Sequence, residues 1–434
     1  MRSHFSERFS VNPCRALIFV SAIALACWLA AFRVCGAAER APVLVVPASK
    51  TTLHVAATAP EGVPAEKAAA CRLVEVDRPE VAVAAQWVKA IAPDGAASKD
   101  QWRLVASVPG RPDARGPRRF RLEPVEMADA GKDAFRFQAV NDASLGLWDA
   151  DQPVLVYNHG MVTVDRVPQK DPRRTRACYI HPLWGLQGEV LTDDAPRDHY
   201  HHRGIYWAWP HVKIDGREYD LWMYHNIQQK FVRWLDRQAG PVTAALGVEN
   251  GWFVADRKVM IERVWLRAYK AAGGERSLDL EFTFIPVDRP ITLRGSEGKS
   301  YGGLNIRYAP RDKTVITVPA GPSKQDLPDT PLPWADLSAQ FKDPNAQTPS
   351  GAAVFIDPGH PDFPPTWLTR HYGILCIGWP GVKGKTFEPG QPIRLNYRLW
   401  IHRAAADTEA LKQAYEGYAQ ALKAKWEEKK PDQP

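Results

Sequence analysis

Short apolar runs, separated by clusters of Gly, Pro and Asp, recur along most of the chain. In the run Leu278–Phe284, apolar residues alternate with Asp279, Glu281 and Thr283, which predicts a strand with one buried face and one wet face. The 37 prolines are spread along the chain, as is typical of turns and edges in β proteins. Helical periodicity is nearly absent before residue 404. The pattern therefore predicts a mainly β protein built around a large antiparallel β-sandwich.

Two β regions are expected. Residues 39–125 carry short β-like runs with regular turn signals, which predict a small accessory β-sandwich. Residues 130–404 carry stronger strand signals and most of the Trp, Tyr and His residues, which predicts the main β-sandwich domain. The predicted strands are Pro42–Pro47, Thr51–Thr58, Cys71–Val76, Gln101–Val108, Arg118–Pro124, Phe135–Val140, Val154–Tyr157, Gly204–Trp209, Val259–Tyr269, Ser277–Pro286, Thr314–Val318, Ala352–Ile356, Gly373–Trp379 and Ile393–His402.

The C-terminal segment, residues 405–434, has a different period. Five apolar residues recur there at spacings of three and four: Leu411, Tyr415, Tyr418, Leu422 and Trp426. This spacing places them on one face of a helix. The segment is therefore expected to form an amphipathic helix, between residues 407 and 429, that packs back on the main domain, followed by a tail.

Residues 1–38 have the features of a signal peptide. Three arginines precede the almost wholly apolar run Ala16–Phe32, and small residues follow it where a signal peptidase could cut. The run is at the short limit for a membrane span, so an uncleaved N-terminal anchor is the alternative. No later run is apolar enough to span a membrane. We therefore expect a periplasmic or extracellular protein with no other membrane association.

Charge and cysteine content narrow the kinds of partner and of site that are expected. The formal net charge is +7, and three of these charges come from the four Arg and one Glu of residues 1–38. No basic run is interleaved with aromatic residues, so nucleic acid is not an expected partner. Beyond residue 38 the chain keeps only Cys71, Cys178 and Cys376, which are far apart and odd in number. Three buried thiols are expected rather than a disulfide framework or a zinc site.

The densest polar cluster of the chain lies between Asp193 and Arg203, just before a predicted aromatic strand. Seven of its residues are singled out as candidates: Asp193, Asp194, Asp198, His199, His201, His202 and Arg203. If this segment is extended, His199 and His201 project to one face and His202 to the other.

Several chemistries fit this cluster. The histidines could transfer protons near neutral pH, with Asp193 or Asp194 orienting an imidazole. His199 and His201 could instead ligate a divalent metal, although no third ligand is fixed by the spacing. Arg203 could bind a substrate oxygen or stabilise an enolate-like oxygen. The structural alternative is a hydrogen-bonded turn in which Arg203 pairs with one of the two aspartates.

Further residues are candidates for substrate binding because they lie near the cluster in the predicted fold or bear aromatic rings suited to a sugar. They are His159, His181, Trp184, Trp207, Tyr301 and Arg307. The chain has no G-x-S-x-G nucleophile motif, no P-loop and no G-x-G-x-x-G motif. Serine-hydrolase and nucleotide chemistry are therefore not expected.

Several motifs of this chain resemble those of the uncharacterised DUF6807 family, whose members are often labelled methane oxygenase PmoA. The resemblance covers roughly residues 135–403 and is carried by Tyr157–Gly160, Tyr179–Trp184, Leu191–Asp194, His199–Gly204, Asp220–Trp222, Tyr301–Gly303, Arg307 and Thr366–Trp367. The family label implies a copper-dependent oxygenase. The association of family members with saccharide-degrading bacteria implies a saccharide substrate. The arrangement is also similar to galactose-mutarotase-type supersandwiches, in which His and a carboxylate act on a sugar ring.

Together these features predict an exported enzyme that acts on a carbohydrate or a sugar-derived small molecule. The catalytic candidates are His199, His201, His202, Asp194 and Arg203, using acid–base or metal-assisted chemistry. Epimerisation, elimination and hydrolysis stay open. A non-catalytic carbohydrate-binding protein and a copper-dependent oxygenase are the alternatives.

Overall fold

The structure, a computed structural model, describes residues 41–61, 63, 70–125 and 134–428. The predicted signal segment lies outside these residues. The described part is mainly β, with antiparallel sheets and one C-terminal α-helix, as predicted. In that part of the chain, no helix is long and apolar enough to cross a membrane. Cys71, Cys178 and Cys376 are buried free thiols, which confirms the expectation for them.

The strands of the described residues, in chain order, are β1 (Val43–Val46), β2 (Leu53–Thr58), β3 (Ala70–Glu75), β4 (Ala82–Ile91), β5 (Ala97–Val108), β6 (Arg118–Pro124), β7 (Phe135–Asn141), β8 (Ser144–Asp149), β9 (Gln152–Asn158), β10 (Val162–Thr163), β11 (Thr175–Arg176), β12 (Tyr179–Leu183), β13 (Ile205–Ala208), β14 (His211–Ile214), β15 (Arg217–Tyr219) and β16 (Gln228–Ala239). They continue with β17 (Thr243–Val254), β18 (Arg257–Tyr269), β19 (Glu275–Pro286), β20 (Ile291–Arg294), β21 (Gly303–Arg307), β22 (Arg311–Val318), β23 (Gly321–Ser323), β24 (Thr330–Pro331), β25 (Trp334–Phe341), β26 (Ser350–Ile356), β27 (Thr366–Arg370), β28 (Ile374–Gly378), β29 (Lys385–Phe387), β30 (Ile393–Arg403) and β31 (Lys425–Trp426). The α-helix is α1 (Thr408–Ala421), and a short 3₁₀-helix spans Pro172–Arg174.

The N-terminal region forms a seven-stranded sheet in the order β2-β5-β4-β3-β6-β1-β31. Its buried residues form a cluster of their own, separate from that of the main region. Sequence analysis found five of its strands but not β4. The domain boundary placed between residues 125 and 130 stays a prediction, because residues 126–133 lie outside the described part.

Two nine-stranded sheets build the main region. One has the order β24-β27-β28-β21-β13-β12-β9-β8-β7, and the other has the order β16-β17-β18-β19-β30-β26-β25-β22-β23. Trp207 of β13 contacts Phe282 of β19 with ring centroids 4.8 Å apart, and Trp209 contacts Phe284 at 5.4 Å. The two sheets therefore pack face to face as a β-sandwich around one continuous core. Smaller sheets, β15-β14-β20-β29 and β10-β11, complete the region.

Strand β19 shows the predicted alternation, but the face predicted to be wet is covered. Asp279 is 8 % exposed and Thr283 is 4 % exposed. Arg398 of β30 contacts Asp279 at 2.6 Å, and Arg103 of the N-terminal sheet contacts Glu281 at 3.1 Å. The prediction of a wet face is wrong because arginines neutralise the acidic side chains, which allows the N-terminal sheet to pack over them.

Helix α1 is shorter than the predicted helix. Asp407 caps its first turn by accepting a hydrogen bond from the amide of Ala410, at 2.7 Å. Leu411 and Tyr418 are buried, whereas Leu422 is 51 % exposed. The chain then leaves the helix so that Trp426 can pair with β1 at the edge of the N-terminal sheet. The apolar residues beyond residue 421 therefore do not lie on one face of a helix, despite their spacing.

Candidate active site

The polar cluster forms a loop that joins β12 to β13, and backbone hydrogen bonds close it at its base. The amide of Asp193 donates to the carbonyl of Arg307 at 2.9 Å, and the amide of Gly204 donates to the carbonyl of Asp193 at 2.7 Å. The amide of Ala195 donates to the carbonyl of His202 at 2.8 Å. These bonds fix the loop against β21, the neighbour of β13 in the sheet.

Gly204 allows the loop to rejoin the sheet. Its φ angle is +57°, a region that residues with a Cβ rarely adopt. A Cβ at this position would lie 2.2 Å from the carbonyl oxygen of Ile180 and 2.8 Å from the Cβ of His181. The Arg-Gly end of the motif is thus required by the backbone, because only glycine fits against β12 there.

Arg203 supports the loop from inside. The residue is 0 % exposed, and its Nη1 lies 3.1 Å from Oδ1 of Asp194. Its Nη2 donates to the backbone carbonyls of Arg173 and Arg174, at 3.0 and 3.1 Å. The hydroxyl of Tyr179 donates to the same Asp194 carboxylate at 3.2 Å. Arg203 therefore forms the structural ion pair with an aspartate that the sequence allowed. A substrate could contact its guanidinium only by replacing Asp194.

Within the loop, the carboxylate of Asp198 contacts the imidazole of His199. Nδ1 of His199 lies 2.9 Å from Oδ2 of Asp198. Arg307 donates from Nη2 to both oxygens of the same carboxylate, at 3.0 and 2.9 Å. Burial raises the pKa of Asp198, but the hydrogen bond from His199 and the charge of Arg307 outweigh burial and lower it. Asp198 is therefore ionised at neutral pH.

Three imidazole rings meet at this point. The ring centroids of His199 and His202 are 4.6 Å apart with an interplanar angle of 3°, and those of His201 and His202 are 4.4 Å apart at 79°. His199 also stacks on Tyr372 at 5.2 Å and 5°. The amide of His202 donates to the carbonyl of His199 at 3.0 Å, so residues 199–202 form a turn rather than an extended strand. This turn brings together rings that an extended segment would place on opposite faces.

Burial keeps two of these histidines neutral. Desolvation, helped by the nearby charges of His199 and Arg176, lowers the pKa of His201 to about 3. Desolvation and the neighbouring histidines lower the pKa of His202 well below its ordinary value. The Nδ1 atoms of both residues are buried and have no hydrogen-bond partner. Both imidazoles are therefore uncharged at neutral pH and keep unused hydrogen-bonding capacity.

Among the described residues, no group of three or more His, Cys, Asp or Glu side chains is arranged to hold a metal ion. The rings of the predicted ligand pair, His199 and His201, have centroids 5.5 Å apart with an interplanar angle of 83°. Metal binding by this pair stays a prediction.

The loop borders an open cleft of about 640 Å³. Tyr372 and Asp198, both in contact with His199, line this cleft. The remaining charged lining residues are mostly cationic: Arg166, Arg197, Arg307, Arg311 and Lys342, with Asp193 as a second carboxylate. His199 does not itself line the cleft, but its side chain is about one third exposed and contacts two residues that do, Asp198 and Tyr372.

Two further predicted binding residues lie beside the cluster. Nδ1 of His181 lies 3.0 Å from the hydroxyl of Thr192, directly beneath the loop. Tyr301 packs on Trp222 with centroids 4.7 Å apart, and Trp222 in turn contacts His201 at 5.9 Å. These residues extend the cluster with aromatic surface on the side of His201.

The other three predicted binding residues lie elsewhere. Trp207 is 1 % exposed and packs inside the sandwich core. His159 packs against Phe231 and Trp234 of β16, with ring centroids 5.0 Å away in both cases. Trp184 pairs through its backbone with Val190 at the start of the loop.

Sequence analysis missed Tyr372, Arg166 and Arg311 as members of the site. Tyr372 and Arg311 lie far along the chain from the loop, and only sheet pairing brings them to it. The guanidinium of Arg307 lies 4.9 Å from the ring centre of Tyr372, which connects the two. Asp198 was visible within the motif, but nothing in the spacing distinguished it from Asp193 and Asp194 as the partner of an imidazole.

Comparison with known proteins places these residues within one family. A family model described as a family of unknown function, DUF6807, matches residues 147–416. That range includes the whole loop and every other residue of the candidate site. A comparison with curated proteins gives no match. The family match covers more than half of the chain and agrees with the resemblance of the motifs, so this protein belongs to the DUF6807 family.

Proposed function

We propose that this protein is an enzyme that acts on a carbohydrate or a sugar-derived small molecule through proton transfer at His199. The observation that carries this proposal is the chain of contacts from Arg307 to Asp198 to His199 at the edge of the cleft. An ionised carboxylate only accepts hydrogen bonds, so Nδ1 of His199 must be the donor. The neutral ring then carries its free lone pair on Nε2, which is where a general base needs it.

The groups around His199 fit this role. Asp198 holds the tautomer and orientation of the imidazole and stabilises the imidazolium that proton uptake would produce, as in other carboxylate–histidine pairs. His201 and His202 stay neutral, so they do not oppose proton uptake by His199 with a full charge. Their unpaired ring nitrogens are available to hydroxyl groups if the cluster opens slightly.

The sugar assignment is supported by the aromatic surface beside these polar groups. Tyr372 is 43 % exposed at the cleft, whereas Trp222, which packs on Tyr301 and contacts His201, is buried. Flat aromatic faces with converging polar groups suit a sugar ring. The signal-like segment of residues 1–38 supports a periplasmic or extracellular location, where saccharide substrates would be met.

Paired-carboxylate glycoside hydrolysis has less support. Such enzymes place two carboxyl groups on either side of the bond to be cleaved. Of the two carboxylates that line the cleft, Asp193 and Asp198, the second is bound to Arg307 and His199, so only Asp193 is left without an ion-pair partner among the described residues. Epimerisation and elimination, which need one base and a stabilised anion, are therefore the favoured reaction types.

The proposal can be tested by incubating the purified protein in D₂O with a panel of neutral and acidic mono- and oligosaccharides and following them by ¹H NMR. We expect loss of a sugar proton signal, or appearance of an alkene or epimer signal, with at least one sugar. Replacing a general base costs about 10²–10⁴-fold in rate, so His199→Ala should slow this change by at least 100-fold. His225→Ala, a substitution of an exposed histidine outside the site, is the matched control and should react like the parent.

A non-catalytic sugar-binding protein is the second candidate, favoured by the exposed ring of Tyr372 at the cleft. It predicts saturation-transfer signals from a bound sugar with no chemical change in the parent protein. That result, or unchanged turnover in His199→Ala, would refute the proposed proton transfer.

A further inference from the structure

We propose that the cleft beside His199 binds the carboxylate of an acidic sugar, so that the substrate is a saccharide containing a uronate residue. This inference rests on the proposed function, because it identifies the substrate of the same site. It comes from the charges that line the cleft, which the motif around the histidines does not reveal.

The cleft has an excess of positive charge. Five cationic side chains and two carboxylates line it, a net of three positive charges with histidine neutral. One carboxylate, Asp198, is already bound to Arg307. Arg197 is exposed, and no carboxylate of the described residues pairs with it. Lys342 pairs only with an exposed partner, Asp312, at 3.0 Å.

Two of the arginines are held in place by backbone carbonyls rather than by acidic side chains. Arg166 donates from Nε to the carbonyl of Ala195 at 3.0 Å. Arg311 donates to the carbonyls of Ala309 and Tyr308, at 2.6 and 3.1 Å, and to that of His371 at 3.2 Å. Carbonyl groups fix the position of a guanidinium but do not neutralise it, so both charges stay available to an anion.

The like charges also disfavour one another in the absence of an anion. Burial, with a further contribution from Arg307, lowers the pKa of Arg311 to about 10. Arg307 is 6 % exposed, and its Nε and Nη1 have no hydrogen-bond partner. A bound anion would relieve this repulsion, whereas a purely structural role would be served better by acidic partners.

The oxygens of a carboxylate and of a sulfate both fit the donor geometry of a guanidinium group. The position of His199 favours a carboxylate, because a carboxylate makes the hydrogen on its neighbouring carbon acidic. Nε2 of His199 would take that proton, and the electron pair of the C–H bond would pass into the carboxylate as an enediolate, stabilised by the cations. A proton from solvent adds to the opposite face, and His199 releases its proton to solvent, which gives the epimer. Alternatively, the electron pair forms a C=C bond as the bond to the β-oxygen breaks, and the leaving oxygen takes up the proton held by His199. Neither route needs an oxidant or a reductant.

The test measures binding separately from turnover. Saturation-transfer NMR and calorimetry at low salt would compare oligogalacturonate, its neutral counterpart and a sulfated oligosaccharide of equal length. We expect the uronate to bind at least tenfold more tightly than the neutral sugar. In Arg197→Gln and Lys342→Gln, affinity for the uronate should fall by up to about fivefold for each charge removed, and by less at high salt. Arg217→Gln, an exposed arginine on β15 outside the cleft, is the matched control and should bind like the parent.

The outcomes separate this inference from the function on which it rests. Uronate binding that depends on Arg197 and Lys342, but without any turnover, supports the carboxylate site and refutes the enzyme. Turnover of neutral sugars with no preference for the uronate refutes the carboxylate site and leaves the enzyme standing. Tighter binding of the sulfated sugar than of the uronate, or no uronate binding, also overturns the assignment.

Discussion

Two clusters of buried polar side chains in this molecule are built in opposite ways. Where the N-terminal sheet covers the main sandwich, Asp279 accepts hydrogen bonds from Arg398 at 2.6 and 3.0 Å and from the Tyr269 hydroxyl at 2.7 Å. In the loop beside the cleft, His201 and His202 have buried Nδ1 atoms with no partner at all.

The difference indicates what each cluster is for. Buried polar groups normally have hydrogen-bond partners, because an unpaired one costs about 1–3 kcal/mol. Both oxygens of Asp279 follow that rule, and Arg398 also donates to the backbone carbonyl of His54, which links the N-terminal sheet to the main sandwich. The histidine cluster departs from it beside an open cleft, and departures of this kind concentrate at functional sites. Unpaired donors and acceptors are groups that a ligand can satisfy.

Asp279→Ala should give the largest effect. Arg398 has a side chain only 5 % exposed, and the substitution would leave its charge buried without its carboxylate partner. Breaking a buried ion pair from one side costs about 3–5 kcal/mol. Chemical denaturation at pH 7 should therefore show a loss of that size in the free energy of unfolding.

Asp198→Ala is the matched control, because it also removes a carboxylate that contacts an arginine. The side chain of Asp198 is 46 % exposed and that of Arg307 is 8 % exposed, so water reaches this pair from one side only. Asp198→Ala should impair turnover and should cost less stability than Asp279→Ala. If the two variants lose equal stability, the division into a structural and a functional cluster is wrong.

His201→Phe should change how stability depends on pH. A histidine that is neutral in the folded protein and basic in the unfolded chain favours unfolding when protons become available. The pKa of His201 is about 3 in the folded protein, against an ordinary value of 6.5. Its cost is therefore absent above pH 6.5 and grows as the pH falls below that value. Unfolding measured at pH 7.5 and pH 5 should show that the parent loses about 2 kcal/mol more than the variant over this range.

His402 provides the opposite case within the same chain. Burial lowers its pKa, but the charge and hydrogen bond of Asp336, 3.0 Å away, outweigh burial and raise it. Its contribution to stability is therefore fully present below pH 6.5 and is lost as the pH rises through its folded pKa. As the pH falls, His402→Phe should become less stable relative to the parent. His201→Phe should instead become more stable relative to the parent.

The sequence revealed strands marked by alternation or, like Ala352–Ile356, by a continuous apolar run, and missed strands such as β17 that have neither signal. Strand β19 was predicted from its alternation, while β17 is buried along most of its length on both faces and reads as a mixture of apolar and polar residues. A Cβ added to Gly247 in β17 would lie 2.7 Å from the ring of Trp265, so the strand depends on a neighbour that the local pattern does not contain. Burial of the second face of β19 was missed for the same reason.

The sequence predicted where the site lies along the chain, but not which of its side chains contact one another. The histidines, Asp198 and Arg203 come from one short segment, and their crowding was visible in the sequence. Assigning Arg203 to support and Asp198 to His199 required the course of the turn. Arg311 and Lys342 are brought together by the pairing of β22 with β25, and Arg166, which lies outside the strands, reaches the loop through a hydrogen bond to the carbonyl of Ala195.

His202→Phe should give the smallest effect, and its sign is informative. The ring lies among His199, His201, Tyr206 and Trp222, an aromatic environment in which Phe fits. Phe would remove the unpaired Nδ1, so at pH 7 the free energy of unfolding should stay equal or rise by up to about 1 kcal/mol. His202→Ala is the control for packing, since it leaves a cavity and should lower stability by about 2 kcal/mol. Both variants should lose turnover if the imidazole serves the ligand. A loss of stability in His202→Phe as large as in His202→Ala would mean that the imidazole is satisfied in solution and belongs to the structural class.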